Sequence, residues 1–110
     1  MPNLKIYVDE EVLAGSRHTL PDTLLRLRKM LEHELDAPAS AFQIAVIPVL
    51  GMPDATRINV EMNLLPSAQR TREMITAICA KLQELLEAAI GHHVAVRVST
   101  IDRERYVSLK

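Results

Sequence analysis

The sequence predicts an α+β fold in which a β-α-β unit occurs twice, giving a four-stranded mixed sheet with two helices on one face. Three observations lead there. Four segments carry strand-type apolarity and two carry an apolar stripe at helical spacing, in the order strand, helix, strand, strand, helix, strand. The helix-to-strand passages at residues 31–49 and 82–99 are similar in pattern and length. Between the halves lies the turn-forming Gly51-Met52-Pro53. The expected organisation is one domain over residues 1–110, with pseudo-repeats 1–50 and 54–100 and a tail at 101–110.

The first strand, residues 3–8, puts Leu4, Ile6 and Val8 on one face and Asn3, Lys5 and Tyr7 on the other. Residues 9–18 read as a loop, with Gly15-Ser16 as its breaker. Thr19 suits a helix N-cap and Pro21 a first turn, and Leu20, Leu24, Leu27, Leu31 and Leu35 then form one stripe. Pro38 ends this helix, because proline disfavours helical backbone in the residue before it. Residues 42–49 are almost wholly apolar, as expected of a strand covered on both faces, and Pro48 predicts that pairing stops nearby.

The third strand, residues 57–65, alternates Ile58, Val60, Met62 and Leu64 with Arg57, Asn59, Glu61 and Asn63. Ser67 is the expected N-cap of the second helix, Met74, Ile75, Ile78, Leu82, Leu85, Leu86 and Ala89 its stripe, and Gly91 its terminator. Residues 93–100 form the last strand, with Arg97 set among valines in what reads as sheet interior. In the tail, Tyr106-Val107 suggests a short edge strand. Right-handed crossovers pair the strands of each half in parallel and bring both helices to one face. Since the second strand is apolar on both sides, part of the open face should be covered by another copy of the chain.

Composition excludes several function classes. Lys+Arg 13 against Asp+Glu 14 gives a formal net charge of -1, so no general field draws the chain to nucleic acid or to an anionic membrane. With no Trp, one Phe and two Tyr there is no set of stacking platforms for single strands. No apolar run approaches the roughly 18 residues of a membrane span, and no charged-then-apolar leader pattern opens the chain, so a cytoplasmic protein is expected. The single cysteine, Cys79, adjoins the second helical stripe and reads as a packed residue. His92 and His93 point to opposite sides of an extended segment, and His18 and His33 have no partner at ligand spacing. No metal is expected.

The first residues carry the chemistry. Pro2 follows the initiator methionine and leads straight into a strand. Removal of Met1 leaves a secondary amine at the end of a sheet. An α-amino group titrates at roughly 7.7–8.0, and desolvation or neighbouring cations lower that towards neutrality, where a general base works best. Without function, proline would also suit the first place of an edge strand, having no N–H to offer.

Pro2 at the head of a strand, the step Leu35-Asp36-Ala37-Pro38, the run Gln43-Ile44-Ala45-Val46-Ile47-Pro48-Val49 and the helix entry at residues 67–72 together resemble the tautomerase superfamily over nearly the whole chain. The opening Arg70-Thr71-Arg72-Glu73 is similar to that of the double-unit members of the 5-carboxymethyl-2-hydroxymuconate isomerase type. The resemblance implies a homotrimer whose three sheets form an inner barrel, and a cofactor-free isomerase of aromatic catabolism. Its proline amine would move a proton between enol and keto forms of a 2-hydroxymuconate-like carboxylate. By the same resemblance Arg17 and Arg70 match the family's substrate-binding arginine in the two halves. Gln43 stands where one-unit members carry a second arginine, and Ala95 stands at the equivalent place in the second half. Arg97 is the candidate substitute, and Tyr106 the candidate for the family's pocket aromatic. Ordinary alternatives stand beside these roles: surface charge for Arg17, Arg70 and Arg72, and an ion pair with Glu61 for Arg97. A ferredoxin-like binding or assembly module, with Pro2 inert, is the competing function.

Overall fold

The computed structural model describes residues 2–110; Met1, whose removal would free the Pro2 amine, lies outside the described residues. The chain runs β1 (Asn3–Asp9), α1 (Glu10–Ser16), α2 (Leu20–Leu35), β2 (Gln43–Val49), β3 (Ile58–Leu64), α3 (Arg72–Ile90) and β4 (Val94–Thr100), with a single 3-10 turn at Ala39–Ala41 before β2. The sheet order is β2-β1-β3-β4. β1 pairs with β2 and β3 with β4 in parallel, while β1 and β3 meet antiparallel at the centre. Each half is thus a β-α-β unit whose strands pair directly.

Period-two alternation decides which face is buried. Leu4, Ile6 and Val8 of β1, Ile58, Val60, Met62 and Leu64 of β3, and Val94 of β4 are buried. They share the core with Leu27 and Leu31 of α2 and with Ile78, Leu82 and Leu86 of α3. Burying one such aliphatic side chain is worth about 1.5–3 kcal/mol, so these two helical stripes largely hold the layers together. On the surface Lys81 of α3 pairs with Glu34 of α2. The other sheet face presents Asn3, Lys5 and Tyr7 beside Ala45 and Ile47 on one side and beside Asn59, Glu61 and Asn63 on the other.

The structure corrects several expectations. Residues 10–16 are helical: Asp9 accepts the Glu11 N–H at 3.0 Å, and Val12 and Leu13 bury themselves in the core, which outweighs Gly15. The cap of α3 is Thr71, whose Oγ1 accepts the Met74 N–H at 3.2 Å. Ser67 instead closes a turn, its carbonyl accepting the Arg70 N–H at 3.0 Å. Pairing of β2 continues through Pro48, opposite Val8, because β2 is an edge strand whose outer side needs no donor. Among the described residues no layer packs on the open face of the sheet, so β2 is covered on its helix side alone in one chain. β4 is the other edge, so Arg97 is exposed and not interior. The tail forms a turn, Arg105 N–H to the Asp102 carbonyl at 3.0 Å, and Tyr106-Val107 is not a strand.

Candidate functional site

Strand directions sort the candidate residues onto two edges. The starts of β1 and β2 and the ends of β3 and β4 share one edge, since Asn3 pairs with Gln43 and Asn63, and Leu64 with Thr100. Pro2 heads the central strand on this edge. It is buried, and its carbonyl accepts the Gln43 N–H at 3.0 Å, so the backbone around it is fixed on the β2 side. Burial around a free amine removes water that would stabilise its protonated form.

Arg70 reaches the same edge from the loop after β3. Its Nη1 donates to the Leu65 carbonyl at 2.9 Å, which restrains a half-buried guanidinium one residue beyond the strand end. Along this edge the Ile101 N–H bonds the Leu64 carbonyl at 2.7 Å and Arg103 Nη2 donates to the Pro66 carbonyl at 2.8 Å. The tail carrying half-buried Tyr106 therefore leaves from the Pro2 edge.

Two candidates lie elsewhere within one chain. Arg17 follows α1 at the opposite edge, separated from Pro2 by the length of β1, roughly 20 Å of extended backbone. Arg57 occupies that far edge too, paired with Asp9 at 3.1 Å. Arg97 stands on the open face, where Nη1 donates to Asn59 Oδ1 at 3.0 Å. Glu61 is its register neighbour, yet among the described residues no ion pair joins them.

Sequence reading leaves Arg72 as ordinary surface charge and gives Arg103 no role. Arg72, Ile75, Thr76 and Cys79 recur at helical spacing and, with Arg70, Val98 and Thr100, line a cavity of about 440 Å³. Their spacing was the signal available. Burial pushes the Cys79 thiol up from its ordinary value, which makes it a weak nucleophile. Among the described residues no group of His, Cys, Asp and Glu is arranged to hold a metal ion. No helix among them is long and apolar enough to cross a membrane.

No family model matches the chain, and no curated protein matches it in sequence. Solved structures do match. A domain of unknown function (DUF1904) from Sebaldella termitidis ATCC 33386 superposes with a TM-score of 0.72 at 16% identity, covering 98% of this chain and 95% of its own. N1, a member of the cis-3-chloroacrylic acid dehalogenase family, gives 0.72 at 14% identity over 96% of this chain and 79% of its own. A fused 4-OT chain that forms an asymmetric trimer gives 0.69 at 17% identity over 96% and 91%. The fold is the tautomerase β-α-β fold. At these identities the likeness carries the tautomerase fold alone, and chemistry has to be argued from this chain's residues.

Proposed function

We propose that the chain is a cofactor-free keto–enol tautomerase in which the Pro2 nitrogen, freed by loss of Met1, is the general base. The observation that supports this most is the placement of a buried Pro2 and a restrained Arg70 on one edge of the same sheet. The substrate is a 2-hydroxy-dienoate of the 2-hydroxymuconate type, as in a 5-carboxymethyl-2-hydroxymuconate isomerase-like enzyme. Arg70 binds its carboxylate, for which a guanidinium offers paired donors and a charge that persists at every relevant pH. The amine takes the proton from the 2-hydroxyl as the enol becomes a ketone, and the resulting ammonium returns it to a carbon of the conjugated chain. No net proton is gained or lost. The Arg70 charge also disfavours the protonated amine before substrate binds. Tyr106, in the tail leaving this edge, closes the pocket.

The working assembly is a homotrimer, by analogy with the fused 4-OT trimer of the same fold. Apolar edge strand β2 supplies the surface to be covered: Ile44, Val46, Ile47 and Val49 remain only half-buried in one chain. Arg17, on the far edge, serves a neighbouring chain's Pro2 in this arrangement, and Arg97 faces the barrel interior. The competing ferredoxin-like reading shares the order of elements along the chain. It is disfavoured because that arrangement separates the two strands of each β-α-β unit, whereas here β1 pairs β2 and β3 pairs β4 directly.

The test combines intact mass with a pH–rate profile. Purified protein should lack Met1, and kcat/KM for a 2-hydroxymuconate-type enol should rise with pH through a group titrating below the ordinary α-amino range. Full activity in protein that retains Met1 would exclude the proline amine, because an amide nitrogen has no usable basicity.

A further inference from the structure

Strand register places Lys5, Glu61 and Arg97 side by side on the open face of the sheet, in one row across β1, β3 and β4. Two cations thus flank one carboxylate at strand spacing, about 4.8 Å from one strand to the next. The rows to either side are uncharged, with Asn3 and Asn63 towards the Pro2 edge and Tyr7 and Asn59 towards the other. Farther along, Asp9 and Arg57 neutralise each other at 3.1 Å. The face therefore carries a positive excess in a chain whose formal net charge is -1. Among the described residues Glu61 forms no ion pair with either cation. Lys5 Nζ instead donates to Asn3 Oδ1 at 2.7 Å, and Arg97 Nη1 to Asn59 Oδ1 at 3.0 Å. A neutral amide orients a cation without cancelling its charge. Arg97 is exposed, and a guanidinium engaged through Nη1 alone keeps further N–H donors for a ligand.

We propose that three copies of this row, turned inward around the axis of the trimer, bind one tetrahedral oxyanion of the phosphate type on that axis. The inference rests on the trimer described under the proposed function and concerns a site apart from the Pro2 edge, since Arg97 stands on the open face and Pro2 alternates onto the buried one with Leu4. Three inward faces gather two cations and one carboxylate each, and protein walls keep the solvent from screening the excess. Like charges held together in this way repel one another and gain from an anion that arrives as a ligand. A tetrahedral oxyanion has threefold symmetry, so it can offer one oxygen to the Arg97 guanidinium of each chain through charge-assisted hydrogen bonds. A monovalent anion such as chloride leaves most of the excess uncompensated.

The experiment is equilibrium dialysis of the full chain against labelled inorganic phosphate at constant ionic strength in chloride, with the mass of the same sample read by light scattering. Binding should saturate at one phosphate for every three chains. Arg97→Gln, an exposed substitution, should raise the concentration at half-saturation by at least about tenfold, the loss of a charged contact. Glu61→Gln removes the carboxylate from the row and should lower that concentration by about threefold or more. Arg70→Gln should leave binding unchanged. A trimer that binds no phosphate at millimolar concentration overturns the proposal and leaves the assembly standing, whereas a monomer overturns both. Equal binding by Arg97→Gln also overturns it. So does saturation at one phosphate per chain, or loss of binding in Arg70→Gln, because either result assigns the anion to the Pro2 edge. Dialysis reads no turnover, so its outcome is independent of the tautomerase chemistry.

Discussion

An amide nitrogen at Pro2 has no usable basicity, while a free secondary amine does, so at the residue scale one peptide bond separates two functions. The carboxylate partner is argued at the same scale. Arg70→Gln removes the charge and the paired donors, and should cut kcat/KM for a carboxylate enol by roughly tenfold to a hundredfold, chiefly through KM. A drop confined to kcat, with KM unchanged, would place Arg70 outside substrate binding. Backbone conformation gives a separate prediction. Gly91 ends α3 at φ 81, with its N–H on the Glu87 carbonyl at 2.8 Å. Gly91→Ala forces a side chain into left-handed backbone and should cost about 1–2 kcal/mol, read as a lowered urea midpoint with unchanged slope.

At the scale of elements, strands and long helices were legible because burial enforces their periods: Leu4, Ile6 and Val8, or Ile78, Leu82 and Leu86, can face one core only at those spacings. Ends and short elements were less so. Ser67 and Thr71 are both good capping residues, and only the turn that consumes the Ser67 carbonyl decides between them. Thr71→Ala should therefore cost about 1 kcal/mol in thermal or urea unfolding, and Ser67→Ala close to nothing. The helix α1 was missed because Gly15 masked a cap at Asp9 followed by Glu10 and Glu11, both favourable in a first turn. The contact between α2 and α3 is pH-sensitive. A hydrogen bond from Lys81, reinforced by its charge, holds the Glu34 carboxyl below its usual range. A depressed carboxylate stabilises the fold above its unfolded pKa and loses that contribution as pH falls through the folded value. Carboxyl NMR titration should show Glu34 returning to the ordinary range in Lys81→Ala.

Over the whole molecule, sequence pattern specified the pairing of halves but could not rank the edges. Which strands lie outside depends on β1 and β3 meeting antiparallel at the centre, a long-range choice that periodicity does not encode. Hence Arg97 was read as interior and proves exposed, and Arg17 was grouped with Pro2 although β1 separates them within one chain. The site candidates that one chain brings to a common edge, Pro2, Arg70 and the tail bearing Tyr106, are contiguous with strand ends, where topology alone fixes neighbours. The half-buried apolar residues of β2 carry an assembly prediction. If the proposed trimer forms, Ile47→Lys puts a charge on the open face and should shift the mass measured by light scattering from that trimer towards monomer.

The proline amine is the claim on which the rest depends. The direct measurement is ketonisation of phenylenolpyruvate by Met1-free protein and by Pro2→Ala, compared at equal oligomeric mass. General-base catalysis of this kind contributes about a hundredfold to ten-thousandfold, so Pro2→Ala should lose at least the lower figure in kcat. Unchanged turnover in Pro2→Ala would contradict the account.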